Sequence, residues 1–139
     1  GIPTNFHGDF QPENIICTKS GFKFIDWRHN FTESLDYGDL YYDLSKLKHA
    51  LIINGQIIRD GRYSIKICKN DVRLSFDTKS NLLGFNKILN SFIKKNNYSN
   101  TKVDALTGLI YLRIACLYNS EYSNFLYFLG IQYLSKRFL

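Results

Sequence analysis

Two acids and an amide near the start of the chain are the residues best suited to chemistry. Asp9 is followed five positions later by Asn14, and Asp26 closes a short apolar run. Phosphoryl transfer needs a carboxylate that accepts or orients the proton of an attacking hydroxyl. It also needs hard oxygen ligands for the Mg²⁺ that neutralises charge on the phosphates. The types and spacing of these residues therefore predict Asp9 as the catalytic base, with Asn14 and Asp26 as metal ligands.

The residues between the two predicted ligands have the pattern of a β-hairpin. Residues 14–18 are mostly apolar and β-branched, residues 19–21 are a turn signal that ends in glycine, and residues 22–26 alternate in polarity. The start of the first strand of an antiparallel pair lies beside the end of the second. Asn14 and Asp26 should therefore share one Mg²⁺, at roughly 2.1 Å from each oxygen.

Three short motifs follow one another in a fixed order. They are His7-Gly8-Asp9 with Asn14, then Ile25-Asp26-Trp27, then Tyr37-Gly38-Asp39 leading to Tyr42-Asp43-Leu44-Ser45. In order and spacing they resemble the C-terminal lobe of the aminoglycoside phosphotransferase and choline kinase group of kinase-like folds, with His-Gly-Asp where protein kinases carry His-Arg-Asp. The last motif is also similar to sugar-kinase-like members linked to surface-polysaccharide synthesis. The resemblance covers about residues 5 to 50.

The resemblance implies a role for each matching residue. Asp9 matches the catalytic aspartate, and Asn14 and Asp26 match the two metal-binding positions. Asp43 matches an acid at a helix start that braces the catalytic loop, although its position equally suits a capping or first-turn acid. His7 is a supporting residue with a structural rather than a chemical role. The implied cofactors are ATP and Mg²⁺, and no nucleotide-binding residue is identified.

The resemblance also implies partners. The family holds ATP with an N-terminal lobe, which six residues before His7 cannot form, so we expect that lobe on a larger parent chain and little activity without it. The implied reaction phosphorylates a hydroxyl of a small molecule such as a sugar, an aminoglycoside or an amino alcohol. The alternative is a non-catalytic kinase-like binding or regulatory module. A protein kinase is disfavoured by Gly8, which replaces the arginine of His-Arg-Asp.

The rest of the chain is predicted to form the platform beneath this site. We expect one α+β domain over residues 1–139, mainly helical, with the N-terminal lobe absent. Its predicted parts are the catalytic loop and metal hairpin 5–27, a helical platform 39–54 and 81–138, and a hairpin insertion 56–76 that either flanks the acceptor pocket or is a peripheral feature. Asp39 or Asp36 is the predicted cap of the first platform helix, and Asn54-Gly55 is its predicted stop. Thr101 is the predicted cap of a later helix, over 101–118.

Composition narrows the class of protein. Residues 1–43 hold seven acids against three bases, whereas the remainder holds five acids against fifteen bases. The bases, Lys46 and Lys48 included, are scattered as on solvated faces, which disfavours nucleic acid as a partner.

The three cysteines lie in apolar segments and are predicted to be small core residues of a cytoplasmic protein. The longest apolar stretch is shorter than the roughly 20 residues of a membrane span. The oligomeric state is not indicated.

Overall fold

The chain is described by a computed structural model that covers residues 1–31, 33–34, 36–69, 71–118 and 121–135. It is an α+β fold in which helices dominate and the strands form three small two-stranded antiparallel sheets. The elements are β1 (Pro3–Thr4), β2 (Ile15–Thr18), β3 (Gly21–Phe24), β4 (Gly38–Asp39), α1 (Leu40–Ile52), α2 (Gly55–Arg59), β5 (Tyr63–Cys68), β6 (Asp71–Phe76), α3 (Ser80–Lys95), α4 (Asn100–Ala115) and α5 (Glu121–Ser135). No described helix is both long enough and apolar enough to cross a membrane.

The predicted hairpin near the N-terminus is present as β2 and β3. Thr18 pairs with Gly21 across a two-residue loop, and Gly21 has the positive φ of +121° for which glycine is suited. The strands are shorter than expected. Asn14 ends a 3₁₀ turn that precedes β2, and Asp26 lies two residues beyond β3. Both predicted ligands therefore lie just outside the hairpin ladder.

The first platform helix is confirmed as α1, with Asp39 as its N-cap. The Asp39 carboxylate accepts a hydrogen bond from the backbone N–H of Tyr41 at 3.1 Å. The predicted stop at Asn54-Gly55 is wrong in detail, because α1 ends at Ile52 and Asn54 begins a new helix. The Asn54 side chain accepts from the N–H groups of residues 56 and 57, so residues 56–59, predicted as a strand, form α2. The second hairpin is confined to β5 and β6.

The three later helices lie close to their predicted positions. The cap of α4 is Ser99 rather than Thr101, since the Ser99 hydroxyl accepts from the N–H of Lys102 at 3.2 Å. Residues 120 and 136–138 of the last predicted helix lie outside the described residues. The hairpin insertion packs against α5, where Tyr63 and Phe76 contact Phe125.

Two glycines lie at a close contact between α4 and α5. A Cβ placed on Gly130 in α5 would lie 2.9 Å from the carbonyl oxygen of Gly108 in α4, and a Cβ on Gly108 would lie 3.0 Å from the Gly130 carbonyl. Each glycine therefore allows the two helix backbones to approach. One buried cluster surrounds this pair of helices and a second joins α1 to α3. The α1 helix extends between both clusters, which fixes the helix that carries Asp43.

The prediction that the cysteines are core residues is wrong. Cys17, Cys68 and Cys116 are all exposed and free. Cys17 follows the exposed Ile16 in β2, and Cys68 is the last of three exposed residues at the end of β5. Cys116 follows the last turn of α4. Apolar neighbours in the sequence did not imply burial, because these short two-stranded hairpins leave many of their apolar residues exposed as well.

Candidate active site

The backbone before Asp9 is held by the carboxylate of Asp43. Asp43 lies in the first turn of α1, and its two oxygens accept hydrogen bonds from the backbone N–H groups of His7 at 2.7 Å and Gly8 at 2.8 Å. Hydrogen bonds to an ionised carboxylate are roughly twice as strong as neutral ones. Both interpretations of Asp43 therefore apply. It is an acid in the first turn of α1, and it also binds the backbone of the loop that precedes Asp9.

Gly8 is required by the shape of this loop. Its φ is +77°, in the left-handed region, and a Cβ there would lie 2.6 Å from the Cβ and Cγ atoms of Arg28. The backbone N–H of Arg28 also donates to the carbonyl oxygen of His7 at 2.9 Å. Glycine at this position lets the Arg28 side chain lie directly over the loop.

Asp9 is buried in an electropositive environment. Its Oδ1 lies 2.6 Å from Nζ of Lys46, and its Oδ2 lies 3.7 Å from Nη2 of Arg28. Burial alone raises the pKa of the Asp9 carboxyl, but the hydrogen bond and charge of Lys46, the charge of Arg28 and a hydrogen bond from Asn14 outweigh it and lower the pKa below its usual value. Asp9 is consequently a carboxylate at neutral pH despite being only 6% exposed.

Asn14 is in direct contact with Asp9. Its buried side-chain amide donates from Nδ2 to the Asp9 carbonyl oxygen at 2.9 Å and to Oδ2 of the carboxylate at 3.4 Å. These contacts use the amide nitrogen, so Oδ1 is the Asn14 atom that suits a cation. The Asn14 backbone is tied to the far strand as well, since its carbonyl accepts from the N–H of Ile25 at 3.0 Å.

Asp26 follows Ile25 directly and is exposed. Its φ of +59° is unusual for a residue with a side chain, and such conformations concentrate at functional sites. The turn that contains it is closed by the Trp27 indole, which donates to the carbonyl of Phe24 at 3.0 Å. Asp26 is therefore next in sequence to the residue whose backbone is bonded to Asn14.

The donor set of Asn14 and Asp26 suits Mg²⁺ bound to phosphate rather than a closed protein site. Within the described residues no group of three or more His, Cys, Asp or Glu side chains is arranged to hold a metal. Mg²⁺ commonly uses one or two protein carboxylates together with waters and substrate phosphates. One amide oxygen and one carboxylate fit that pattern.

His7 packs as a supporting residue. Its Nδ1 accepts from the N–H of Asp9 at 3.3 Å, and its ring stacks on Trp27 with 4.8 Å between centroids. Its Nε2 has no hydrogen-bond partner among the described residues. The ring is buried between the loop and the aromatic side chains of the hairpin, which supports a positioning rather than a proton-transfer role.

Lys46 is a site residue that sequence reasoning missed. It was grouped with solvated lysines, but its side chain is 14% exposed and pairs with Asp9. The neighbouring Lys48 is also not on a solvated face, since it pairs with Asp104 at 2.6 Å. A signal was present for Lys46: it lies three residues after Asp43, so both project from the same face of α1.

A cavity of about 500 Å³ adjoins the loop on the side of Lys46. It lies between the loop, α1 and α4, and its lining includes Gly8, Arg28, Tyr42, Lys46 and Arg113. None of the described residues of the hairpin insertion lines it. Of the two interpretations of that insertion, the described residues favour a peripheral element packed on α5.

The chain has no significant match among protein-family models, curated proteins or solved structures. Functional inference therefore depends on the geometry of the residues themselves.

Proposed function

We propose that the chain is the catalytic lobe of an ATP-dependent phosphotransferase that phosphorylates a hydroxyl of a small molecule. The observation that carries this proposal is the environment of Asp9. Its carboxylate is buried, ionised and bonded to Asn14, on a loop whose backbone is fixed by Asp43. An ionised acid held rigidly beside a cavity is what the orientation of an attacking hydroxyl requires.

In this proposal Asp9 orients the acceptor hydroxyl and receives its proton as the hydroxyl oxygen bonds to the γ-phosphorus of ATP and the bond from that phosphorus to the oxygen of the departing ADP breaks. A lowered pKa makes Asp9 a weak base, which is acceptable because phosphoryl transfer passes through a loose transition state and depends mainly on positioning and charge neutralisation. Asn14 and Asp26 would hold Mg²⁺ through their side-chain oxygens. The bound ion would supply positive charge to the phosphate oxygens. Lys46 and Arg28 keep Asp9 charged and in place.

The proposal assigns groups to the metal and to the hydroxyl, and it identifies no clamp for the nucleotide phosphates among the described residues. We propose that a further lobe of a parent chain supplies that clamp. On this basis the 139-residue chain alone should show negligible ATP turnover. Robust phosphorylation of a sugar by the isolated chain would contradict the requirement for another lobe.

A non-catalytic kinase-like module is the second candidate, and one observation favours it. Both oxygens of Asp9 already have partners within the chain, because Lys46 lies at Oδ1 and Arg28, Gln11 and Asn14 approach Oδ2. A carboxylate satisfied in this way could serve only to stabilise the loop. The presence of Asp26 in a strained, exposed conformation favours the catalytic proposal, because loop stability alone does not require it.

Metal binding provides the first test. Titration of Mn²⁺ into the chain with ATP present, followed by calorimetry, should give at least tenfold weaker metal binding for Asp26→Ala than for the unmodified chain, as expected on loss of a charged ligand. Asp77→Ala is the matched control, since Asp77 is an exposed acid after β6. Unchanged metal affinity in Asp26→Ala would refute the assigned ligand.

Phosphotransfer provides the second test. In the full parent chain, screened against small hydroxyl compounds, Asp9→Asn should reduce kcat far more than it raises KM for ATP, because the lost interaction is with the reacting hydroxyl. Full activity in this variant would eliminate Asp9 as the base. Activity absent from the unmodified parent chain as well, with metal binding intact, would favour the non-catalytic module.

A further inference from the structure

We infer that the acceptor carries an anionic group, a phosphate or a carboxylate, in addition to its hydroxyl. This inference rests on the proposed function and concerns the cavity beside Gly8. The cavity is lined by Gly8, which precedes Asp9, and by Arg28 and Lys46, the two cations that contact the Asp9 carboxylate. Its volume of about 500 Å³ is within the range of sites for small ligands, roughly 300–1,000 Å³.

The lining of the cavity is strongly basic. Arg28, Lys46 and Arg113 all line it, and no aspartate or glutamate among the described residues does. Asp9, in contact with Lys46 and Arg28, offsets one of the three positive charges. Counted over these three cations and Asp9, an excess of two positive charges remains around a concave site, where the field is stronger than on a flat surface. Such a site repels an acceptor that is itself a cation.

Arg113 is the cation best placed to bind an anion. It projects from the last turn of α4, on the side of the cavity formed by that helix, and it has no acidic partner within the described residues. Arg28 is also mostly accessible, with a side chain that is 62% exposed. Guanidinium groups bind phosphate and carboxylate through two parallel hydrogen bonds, which gives geometric specificity.

The remaining lining suits the body of a sugar-sized molecule. Tyr42 of α1 contributes a ring and a hydroxyl, and Ile110 and Ile114 form an apolar surface on α4. Ile110, Arg113 and Ile114 lie on one face of α4 at helical spacing. A hydroxylated ring packed there would reach the loop at one end and Arg113 at the other. Among the acceptors considered from the sequence, the charge favours an acidic sugar or sugar phosphate over an aminoglycoside or an amino alcohol.

The test is a binding series on the 139-residue chain, measured by calorimetry without nucleotide. The probes are glucose 6-phosphate, glucuronate, glucose and glucosamine, which share a ring and differ in charge. At least one of the two anionic probes should bind at least tenfold more tightly than glucose, and glucosamine should bind most weakly. Comparison of glucose 6-phosphate with glucuronate identifies whether phosphate or carboxylate is preferred. Equal binding of all four, absence of binding by both anions, or a preference for glucosamine would overturn the inference.

Two variants localise the binding. Arg113→Gln should weaken the preferred anionic probe about tenfold, the expected scale for losing a charge-assisted hydrogen bond, and Arg113→Lys should restore part of the affinity. Arg73→Gln makes the same charge change on an 80% exposed side chain of β6 and should leave binding unchanged. Equal losses in Arg113→Gln and Arg73→Gln would show a general charge effect and overturn the inference.

A competition experiment excludes the nucleotide as the source of the anion. A non-hydrolysable MgATP analogue should not displace the anionic sugar. Displacement would assign the three cations to nucleotide phosphates instead and overturn the inference. None of these measurements involves phosphoryl transfer, so failure here is distinguishable from failure of the proposed function, which depends on Asp9→Asn and Asp26→Ala.

Discussion

His49 should make the stability of the protein sensitive to mild acid. It lies in the last turn of α1, is only 7% exposed, and its Nδ1 bonds the carbonyl oxygen of Lys46. Burial, and then the charge of Lys46, lower the pKa of His49 to about 4, against 6.5 for an ordinary histidine; the Lys46 carbonyl and Asp9 oppose the shift without cancelling it. The folded protein therefore keeps His49 neutral over a range in which the unfolded chain protonates it.

The sign and size of the effect of His49 on the free energy of unfolding follow from proton linkage. Above pH 6.5 both states hold neutral His49 and it has no effect on stability. As the pH falls from 6.5 to about 4, the unfolded state binds the additional proton and is favoured. The loss of unfolding free energy should be about 2 kcal/mol at pH 5 and about 3 kcal/mol below pH 4, from 1.36 kcal/mol per pKa unit.

Urea unfolding of the unmodified chain, His49→Gln and His29→Gln should be measured at pH 7.5 and pH 5. His49→Gln removes the titrating group, so its loss of unfolding free energy between the two pH values should be about 2 kcal/mol smaller than that of the unmodified chain. The exposed His29 provides the matched control, and its variant should retain the full loss. The same pH dependence in all three proteins would refute the assignment to His49.

Three further changes test the fold and the loop. Gly130→Ala should lower the unfolding free energy by about 1–3 kcal/mol, because the new methyl group meets an α4 carbonyl oxygen. Gly84→Ala in α3 should raise the unfolding free energy by about 0.5–1 kcal/mol, because no atom lies within 4 Å of a Cβ placed there. A gain in stability in both variants would refute the close contact between α4 and α5. Asp43→Ala should speed amide hydrogen exchange at residues 7–8, and unchanged exchange would mean that the carboxylate does not hold the loop. Lys46→Met should lower the free energy of unfolding by about 2 kcal/mol, measured in urea, because it leaves the buried Asp9 carboxylate with fewer partners. A change in unfolding free energy near zero would indicate that the Lys46–Asp9 pair contributes little to stability, as an exposed pair does.

The helices and the hairpin at the site were predictable because local patterns determine them. The leucines of α1 repeat at helical spacing and Asp39 provides a cap, so both could be identified without knowledge of the tertiary fold. The error at residues 56–59 arose from a competition between two local signals. The alternating apolar residues suggested a strand, but two hydrogen bonds to the Asn54 side chain and complete burial of Ile57 favour a helical turn.

The charge environment of the site was less accessible to sequence reasoning. Lys46 and Arg113 come from different helices, and their common cavity depends on how α1 packs against α4. Burial of an individual lysine cannot be read from a basic composition, which is why Lys46 was assigned to a solvated face. The close approach of α4 and α5 at Gly108 and Gly130 is similarly a tertiary property of two residues far apart in sequence.

Successive turns of α1 explain why the site is rigid. Asp39 accepts from the backbone N–H of residue 2, Asp43 from those of residues 7 and 8, and Lys46 pairs with the side chain of Asp9. The N-terminal segment is thus bonded to one helix turn after turn. That helix is itself fixed, since the Ser45 hydroxyl lies 3.0 Å from the carbonyl of residue 103 in α4. A displacement of α1 would move Asp43, Lys46 and one wall of the cavity together. The geometry of Asp9 therefore depends on core packing as much as on its immediate neighbours.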